Sequence, residues 1–274
     1  MNGSHSVLPG FRLSLGLGVL YLSLIVLLPA TTLVLQASQI RWSELVFYFT
    51  DPRLLAAIRV TFLAAICASL SNAVLGLLLA WIISRYEFPG RRFVDTLIDL
   101  PFALPTAVAG LTLSALFAKN GWIGQWLAPL GFEVSYSFVG IVLAMTFTSL
   151  PFVVRTLQPV IEDLAPEYEE AAECLGATRW QIFYRIILPP LMPALSIGSA
   201  LALVRSLGEF GAVIFIAGNK PFETEVVSLM IFTYIGEYAY EAASAVAFFL
   251  LLTSLLILLI VQLLQRRYRA RGAA

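Results

Sequence analysis

Long apolar stretches, uncharged except for Arg205 and Glu209 in the fifth, run along the whole chain and are separated by short polar segments. They occupy residues 13–35, 60–84, 100–118, 134–154, 186–219 and 242–265. Each stretch reaches or approaches the roughly 20 residues that a helix needs to cross the hydrocarbon core of a bilayer. A shorter apolar run at residues 226–236 is too brief to span, so it predicts an interfacial or re-entrant piece. The pattern predicts an all-α, polytopic membrane protein with six transmembrane helices.

The first and the fifth stretches depart from a simple span. Residues 13–35 resemble a signal peptide in position, but the run is longer than a signal core and further spans follow it, so we expect a retained helix. The fifth stretch contains Pro189, Pro190 and Pro193. Because proline breaks helical hydrogen bonding, we expect the spanning part to begin after Pro193.

Composition agrees with a membrane protein. Of 274 residues, 59% are hydrophobic and only 12% are charged, which is more apolar surface than a soluble domain can bury. The formal net charge of zero gives no indication of a nucleic-acid partner. Cys67 lies in an apolar stretch and Cys174 in a polar one, so we expect no disulfide between them and treat both as packing residues.

The distribution of Lys and Arg predicts the orientation. If both termini face the cytoplasm, the inner segments carry Arg12, Arg85, Arg91, Arg92, Arg155, Arg179, Arg185, Arg266, Arg267, Arg269 and Arg271. The outer loops then carry fewer, namely Arg41, Arg53, Arg59, Lys119 and Lys220. Since cytoplasmic loops are rich in Lys and Arg, we expect N- and C-termini inside.

This orientation divides the chain into four parts. Residues 1–12 form a cytoplasmic N-terminus, and residues 13–59 form the first span with an outer loop. Residues 60–265 form a core with five spans, which includes a cytoplasmic segment at 155–188, and residues 266–274 form a basic cytoplasmic tail. We expect the arginines of the tail to anchor it at the anionic leaflet.

The polar segment at residues 165–189 predicts a short helix that ends at a glycine. Pro166 suits the first helical turn, where its missing N–H is not needed. Glu167, Glu169 and Glu170 then place negative charge at the positive end of the helix dipole. Gly176 can adopt the left-handed conformation that ends a helix.

A second helix is predicted directly after Gly176. Thr178 and Gln181 have the spacing of a capping box, which satisfies two backbone donors at a helix start. An aromatic and aliphatic stripe with helical spacing follows, formed by Trp180, Phe183, Tyr184 and Ile187. We expect Pro189 and Pro190 to end this pattern.

The same segment resembles the EAA loop of ABC-importer permeases, and we call residues 165–189 the EAA segment. Every consensus position of that loop is occupied, by Glu170-Ala171-Ala172, Gly176, Ile186 and Leu188-Pro189. The resemblance implies a coupling helix that docks into a cleft on a separate ATPase subunit. The residues it assigns to coupling are Glu167, Glu169, Glu170, Ala171, Ala172, Gly176, Leu188 and Pro189.

The motifs of nucleotide and hydrolytic chemistry are missing from the sequence. There is no GxxxxGK[ST] loop, no G-x-S-x-G serine, no HExxH and no Cys/His cluster, while His5 stands alone in a polar tail. We therefore expect no catalytic residue, no metal site and no cofactor on this chain. ATP and Mg²⁺ would be bound by a partner ATPase.

Two stretches place unusual residues at membrane depth. In the first, Pro101 and Pro105 free backbone carbonyls beside Thr106, and Gly110 allows a close helix crossing. Broken backbone is tolerated there when it is buried in protein or faces a watery cavity. Both a kinked packing helix and a pathway lining at Pro105 and Thr106 fit this pattern.

In the second stretch, Arg205 and Glu209 lie four residues apart, with Ser206 beside them. A charge in the bilayer is costly and often marks a substrate route, but such residues also simply pair. Either a structural ion pair or a pathway lining fits. In the second case Arg205 would offer paired donors to a tetrahedral oxyanion. Arg155, where the fourth span enters the cytoplasm, is expected to be a snorkelling anchor.

Residues 99–113, 166–189 and 205–218 also resemble sulfate/thiosulfate ABC-importer permeases. The resemblance covers essentially the whole chain and implies the type I importer (MetI-like) fold in a bacterial inner membrane. It further implies a second, homologous permease subunit, two copies of a cytoplasmic ATPase and a periplasmic sulfate-binding protein as partners. In such a complex, ATP binding pushes on the coupling helix and rocks the spans between inward-open and outward-open states.

Three alternatives stay open from the sequence. A permease for another oxyanion, such as molybdate, would need few changes, since most selectivity would reside in the binding protein. A secondary transporter driven by an ion gradient would not need the EAA spacing, and it predicts an inverted repeat that is not evident. An intramembrane enzyme lacks a paired catalytic constellation in this sequence.

Overall fold

The computed structural model describes residues 11–272, and this range is helical, with no strand. The predicted N-terminal part therefore lies mostly outside the described residues. The helices are α1 (Phe11–Leu22), α2 (Leu28–Gln39), α3 (Trp42–Thr50), α4 (Pro52–Arg85), α5 (Arg91–Ile98), α6 (Leu100–Ala103), α7 (Thr106–Phe117), α8 (Gly124–Leu127), α9 (Phe138–Glu162), α10 (Glu167–Cys174), α11 (Arg179–Ile182), α12 (Leu188–Leu207), α13 (Val213–Ile216), α14 (Val227–Gly236) and α15 (Tyr240–Gly272). The all-α class is confirmed for this range.

Within the described range, 5 helical runs are long and apolar enough to cross a bilayer. They are Leu13–Gln39, Pro52–Arg85, Phe138–Glu162, Arg179–Leu207 and Tyr240–Ile260. Each contains all or most of one predicted span. The predicted third span, residues 100–118, is instead divided among α6, an extended Leu104 and α7.

Proline explains the divided third span. Pro105 lacks an N–H and disfavours helical backbone in the residue before it, and Leu104 is extended with ψ 135°. The 12 residues of α7 rise only about 18 Å, which is less than the ~30 Å hydrocarbon core. A hydropathy pattern does not detect the break, because the residues on both sides are apolar.

The fifth span also differs from the prediction, because the helix continues through its prolines. A π-helical turn at Phe183–Ile187 joins α11 to α12, and the Leu188 N–H donates to the carbonyl of Phe183, five residues back. The wider turn shifts the hydrogen-bond pattern just before Pro189, where a regular helix would lose a donor. The expectation that Pro189 and Pro190 end the helix is therefore wrong.

The predicted outer loop after the first span is largely helical. Residues 42–50 form α3, and α4 begins at Pro52 rather than near residue 60. Pro52 is pre-organised for a first helical position, and Asp51 caps the helix by accepting from the Arg53 N–H at 3.1 Å. Local start signals thus extend α4 beyond its apolar part, since hydropathy alone marks only the membrane-embedded residues.

Three long helices, α4, α9 and α12, form the centre of the molecule. Val153 of α9 lies between two glycines, Gly76 of α4 and Gly198 of α12. A Cβ at Gly76 would lie 2.8 Å from the Val153 Cβ, and one at Gly198 would lie 2.9 Å from its Cα. Small residues let these backbones approach closely, which is how helices associate without a hydrophobic driving force between them.

The short apolar run near the C-terminal third is the helix α14, with Val227 and Met230 buried. An ion pair fixes the residues just before α14: Arg53 donates to Glu225 from Nε at 2.8 Å and from Nη2 at 2.7 Å. Glu225 is buried, so this bidentate pair fixes the segment before α14 to the start of α4.

The helices α1 and α2 stand apart from this core. None of the apolar window in Leu13–Gln39 is buried. The hydroxyl of Ser244 in α15 donates to Gln36 of α2 at 3.0 Å. Cys67 and Cys174 are free, as predicted. Both are exposed, however, so the expectation that they are packing residues of the interior is wrong.

Candidate functional site

The EAA segment has the predicted local structure. The Pro166 carbonyl accepts from Glu169 and Glu170 at 2.9 and 3.1 Å as α10 begins. Gly176 has φ 79°, and both halves of the capping box between Thr178 and Gln181 are formed. Two helices with a left-handed glycine between them are therefore present. The second is the start of the run that continues through α12 rather than a short helix.

Two residues of α10 face the rest of the chain. Ala172 is buried in a cluster with Ile161 of α9 and Ile187 of the π-turn. Glu169 forms an ion pair with Arg85 at 3.0 Å, and the same Arg85 nitrogen, Nη2, donates to the Leu164 carbonyl at 3.1 Å. These contacts attach α10 firmly to the ends of α4 and α9, which sequence reasoning did not predict.

The other residues assigned to coupling lie at the surface or at its edge. Glu167, Glu170, Ala171, Gly176 and Pro189 are exposed, and Leu188 is half-buried. The segment thus has an inner side, formed by Glu169 and Ala172, and an outer side, formed by the remaining positions.

Large apolar side chains are exposed on the EAA segment. Leu175 is 89% exposed and Tyr168 is 65% exposed, although neither was given a role from the sequence. The predicted stripe is divided: Ile187 is buried, whereas Trp180 and Tyr184 are exposed and stack with their ring centroids 5.9 Å apart. Exposed apolar side chains next to a rigid helix are typical of a protein-binding surface.

A groove of about 750 Å³ lies beside this segment. Apolar side chains of α4, including Leu77, Leu78 and Trp81, form one part of its lining, and the EAA segment forms the other with Phe183 and Tyr184. The groove therefore continues the apolar surface of the segment onto the face of α4.

The two stretches singled out at membrane depth meet in the structure. A Cβ at Gly110 of α7 would collide with the backbone of Ala212, and a Cβ at Gly211 would collide with the hydroxyl of Thr106. Both segments contain a helix break here, one at Pro105 and the other between Gly208 and Ala212. We call residues 99–117 and 205–216 the broken-helix pair.

Arg205 and Glu209 form the ion pair that was one of the two predicted possibilities. Nη1 of Arg205 lies 2.6 Å from Oε2 of Glu209, as a close ion contact rather than a well-aligned hydrogen bond. The side chain of Glu209 is 1% exposed, whereas that of Arg205 is 31% exposed. Glu209 lies beyond the end of α12, so the pair closes the helix terminus instead of running along one helix face.

Glu209 also organises the backbone around it. Its Oε1 accepts from the Ala212 N–H at 2.9 Å, and its carbonyl accepts from the Ser228 hydroxyl at 2.8 Å. The carboxylate therefore holds the turn that contacts Thr106 and Gly110. Arg205 is the partner that keeps this buried charge compensated.

Ser206 is not placed beside the accessible part of Arg205. It is fully buried, and its hydroxyl donates to Ser149 at 3.1 Å. Asn72 donates to the same Ser149 oxygen at 2.8 Å, so the three side chains link α12, α9 and α4. Of the predicted pathway residues, Pro105 is exposed and Thr106 is half-buried.

Arg155 is more than the snorkelling anchor that its position suggested. Its guanidinium binds Asp99 from Nε at 2.8 Å and from Nη2 at 2.6 Å, and binds Asp95 from Nη1 at 2.6 Å. These aspartates lie in the short polar segment before α6. Sequence reasoning missed these contacts, because the aspartates lie 56 and 60 positions from Arg155 along the chain.

Within residues 11–272, no group of three or more His, Cys, Asp or Glu side chains is placed to hold a metal ion. The EAA segment presents an exposed helical hairpin. The broken-helix pair presents Arg205, paired with the buried Glu209, beside two helix breaks.

Comparison with known protein families decides the class. Residues 72–271 match the family described as "Binding-protein-dependent transport system inner membrane component". The chain belongs to this family. The match covers the second part of α4, all of α9 and α12, the EAA segment and the broken-helix pair, and it makes the chain a multi-pass membrane permease subunit.

Curated relatives within this family are similar over nearly the whole length. The "Sulfate transport system permease protein CysT" of Escherichia coli (strain K12) is 58% identical over 265 residues, which is 97% of this chain and 96% of that protein. The protein of the same name from Synechocystis sp. is 44% identical over 253 residues, which is 91% of this chain and 88% of that protein.

Solved structures share the fold. A bacterial ABC transporter involved in the import of the acidic polysaccharide alginate matches with a TM-score of 0.77 at 22% identity, covering 94% of this chain and 96% of that one. The MetNI methionine ABC transporter in an inward-facing conformation matches with a TM-score of 0.58 at 17% identity, covering 78% and 95%. The helical arrangement of ABC-importer permeases is therefore present in this chain.

Proposed function

We propose that this chain is the transmembrane permease subunit of an ATP-driven importer of sulfate and thiosulfate in a bacterial cytoplasmic membrane. The observation that carries the proposal is the EAA segment: α10 is fixed from inside by Ala172 and Glu169 while Leu175 and Tyr168 are exposed. A rigidly supported helix with exposed apolar side chains suits transmission of force from a second protein. The high identity to sulfate permeases supports the substrate.

The proposed complex supplies what this chain lacks. Two copies of a cytoplasmic ATPase would bind ATP and Mg²⁺, and each permease subunit would receive one ATPase at its EAA segment. A second, homologous permease would complete the translocation pathway, and a periplasmic sulfate-binding protein would deliver the anion. Both termini would face the cytoplasm, in agreement with the distribution of arginines.

We further propose six membrane crossings, in which α6 and α7 together form the third. Support comes from the broken-helix pair, since α7 alone is too short to span but is packed against α13 through Gly110 and Ala212. Broken helices at membrane depth are tolerated where protein buries them or where they line a cavity. Arg205 would then meet the anion with its accessible N–H groups, while Glu209 holds the turn.

Coupling in this proposal is a difference in affinity between two states. ATP and the loaded binding protein must both favour the outward-open state, because a ligand shifts an equilibrium only by its differential affinity. ATP binding closes the ATPase dimer and pushes on α10, and hydrolysis resets the spans.

The experiment that tests the proposal is copurification from membranes followed by an ATPase assay. We expect the chain to copurify with an ATPase and a second permease, and ATP hydrolysis to rise when sulfate-loaded binding protein is added. A molybdate permease would show the same assembly with stimulation by molybdate instead. A gradient-driven transporter would copurify with no ATPase and would transport without ATP.

A further inference from the structure

All five N–H donors of the Arg155 guanidinium are hydrogen-bonded within the chain. Nε and Nη2 donate to the two oxygens of Asp99, and Nη1 donates to the carboxylate of Asp95. The remaining donors reach the Asp95 carbonyl at 2.9 Å and Gln158 Oε1 at 2.6 Å. A guanidinium has five such donors in a fixed planar fork, so its orientation against α5 and α6 is fully determined.

A second contact repeats the connection on the same helix faces. Phe102 of α6 packs edge-to-face on Phe152 of α9, with ring centroids 5.3 Å apart and planes at 87°. Phe102 lies three residues after Asp99, and Phe152 lies three before Arg155, so the two contacts follow one another along both elements. We call these two contacts the α6–α9 clamp.

The clamp is needed because α6 has little support from its own backbone. It is a helix of four residues, with Asp99 before it and the extended Leu104 after it. Local hydrogen bonds of so short an element do not set its position relative to α9. The charged and aromatic contacts of the clamp therefore fix where α6 lies.

On one side, the clamp is joined to the EAA segment. Ala172 of α10, Ile161 and Leu157 of α9, and Ile98 of α5 belong to the same buried cluster. Arg85 adds a hydrogen bond to the Leu164 carbonyl, just after the end of α9, and an ion pair with Glu169 of α10. Movement of α10 must therefore be shared by the end of α9 that carries Arg155.

On the other side, the clamp leads to the turn that holds Arg205 and Glu209. The chain runs from Asp99 through α6 and Pro105 to Thr106, which lies directly against Gly211. One turn later Gly110 lies against Ala212, whose N–H donates to Glu209. Only Leu104 and Pro105 separate α6 from α7 on this path.

We propose that Arg155 is a positioning residue for transport, which carries the displacement of the EAA segment through Asp99 to the broken-helix pair. This inference rests on the proposed function, because it presupposes that a partner pushes on α10. Arg155 neither contacts the partner nor the anion in this account. Its role is to make α9 and α6 move together.

The test uses the complete complex in proteoliposomes, with both permeases, the ATPase and the sulfate-loaded binding protein. The measured quantity is the ratio of sulfate taken up to ATP hydrolysed. For Arg155→Ala we expect this ratio to fall about tenfold while ATP hydrolysis continues, since coupling between sites typically amounts to 5–150-fold. Arg155→Lys keeps the charge but not the planar fork, so its ratio should fall less.

A purely structural role predicts a different outcome. It would lower the melting temperature and the yield of complex while the remaining complexes keep the wild-type ratio, and that result would overturn the inference. If Arg155→Ala does not assemble, Asp99→Asn and Asp95→Asn together remove the acceptor charges with little change in shape and serve the same test. Lys119→Ala, which breaks the exposed ion pair with Glu133, is the matched control and should leave the ratio unchanged.

The wild-type complex distinguishes a failure of the proposed function from a failure of the role proposed for the clamp. If it shows no ATP-dependent sulfate uptake, the proposed function fails. If it does and every variant at Arg155, Asp95 and Asp99 keeps its uptake-to-hydrolysis ratio, only the role of the clamp is refuted.

Discussion

Arg85 Nη2 lies 3.0 Å from Oε1 of Glu169, and this ion pair joins the end of α4 to α10 of the EAA segment. The guanidinium also lies over the ring of Trp81, 5.2 Å from its centroid. Glu169, one of the acidic residues predicted to contact a partner protein, thus contacts its own chain. The acidic first turn of α10 has two roles: Glu169 fixes the helix in place, and Glu167 and Glu170 remain exposed.

Removing this ion pair should loosen α10 without removing its docking surface. We expect Glu169→Gln to reduce coupled uptake and to lower thermal stability slightly. A double-mutant cycle with Arg85→Ala should give a coupling energy of about 0.5–1 kcal/mol, the upper range for partly exposed pairs. For stability, Glu170→Gln is the matched control, and an equal loss of stability in that variant would contradict the assignment.

A substitution at Leu175 should weaken ATPase binding without affecting the folding of this chain. Because the side chain is 89% exposed, Leu175→Glu should leave the melting temperature unchanged. A charge in an apolar contact should reduce the amount of copurified ATPase about tenfold. Leu130→Glu, also at an exposed apolar position, is the control. Normal copurification of the Leu175 variant would exclude this side chain from the interface.

Gly176 should tolerate no β-branched side chain. At φ 79° a residue with a Cβ is strained by about 1–2 kcal/mol, although nothing lies within 4 Å of the position. Gly176→Val should therefore change the angle between α10 and α11 and reduce ATP-coupled uptake. Gly236→Val, in equally open space but at an ordinary backbone conformation, is the comparison. Equal uptake by the two variants would remove the role of the bend.

Gly110 should be required for the contact of the broken-helix pair. A Cβ there would collide with the backbone of Ala212, which cannot move away as a side-chain tip can. Gly110→Ala should destabilise the chain by about 1–3 kcal/mol, the usual effect of overpacking. Gly18→Ala meets nothing within 4 Å and should have no such effect. Thermal unfolding in detergent measures both, and equal melting temperatures would show that the two segments are not in contact.

The two roles left open for Arg205 give opposite results in a double variant. Arg205→Ala alone leaves the buried charge of Glu209 uncompensated, so it should lower stability whichever role is correct. Adding Glu209→Gln removes that charge and keeps an acceptor for the Ala212 N–H. Stability should then recover, while sulfate uptake should stay low if Arg205 contacts the anion. Recovery of uptake together with stability would leave only the structural ion pair.

Local rules predicted the EAA segment well. The turn at Gly176 and the capping box of Thr178 depend on residues within four positions of each other, so their chemistry is visible in the sequence. Hydropathy likewise located the long helices, since burial in lipid selects for continuous apolar runs. It did not show where the third span breaks, because a proline among apolar residues changes the hydrogen bonding but hardly changes the hydropathy.

The long-range contacts were beyond sequence reasoning. Arg53 and Glu225 are 172 positions apart, and Arg155 and Asp99 are 56 apart. Such pairs depend on how the helices pack, and a single sequence contains no signal for the partner. The same limit applies to Ser206, which lies next to Arg205 in sequence but faces Ser149 across the helix interface.

Sulfate uptake by the reconstituted complex tests the central claim most directly. Proteoliposomes containing both permeases and the ATPase should take up radiolabelled sulfate only when the binding protein and hydrolysable ATP are both supplied. The Leu175→Glu variant should strongly reduce that uptake without unfolding the chain. Uptake by the permease alone, driven by an ion gradient and insensitive to ATP, would contradict the account.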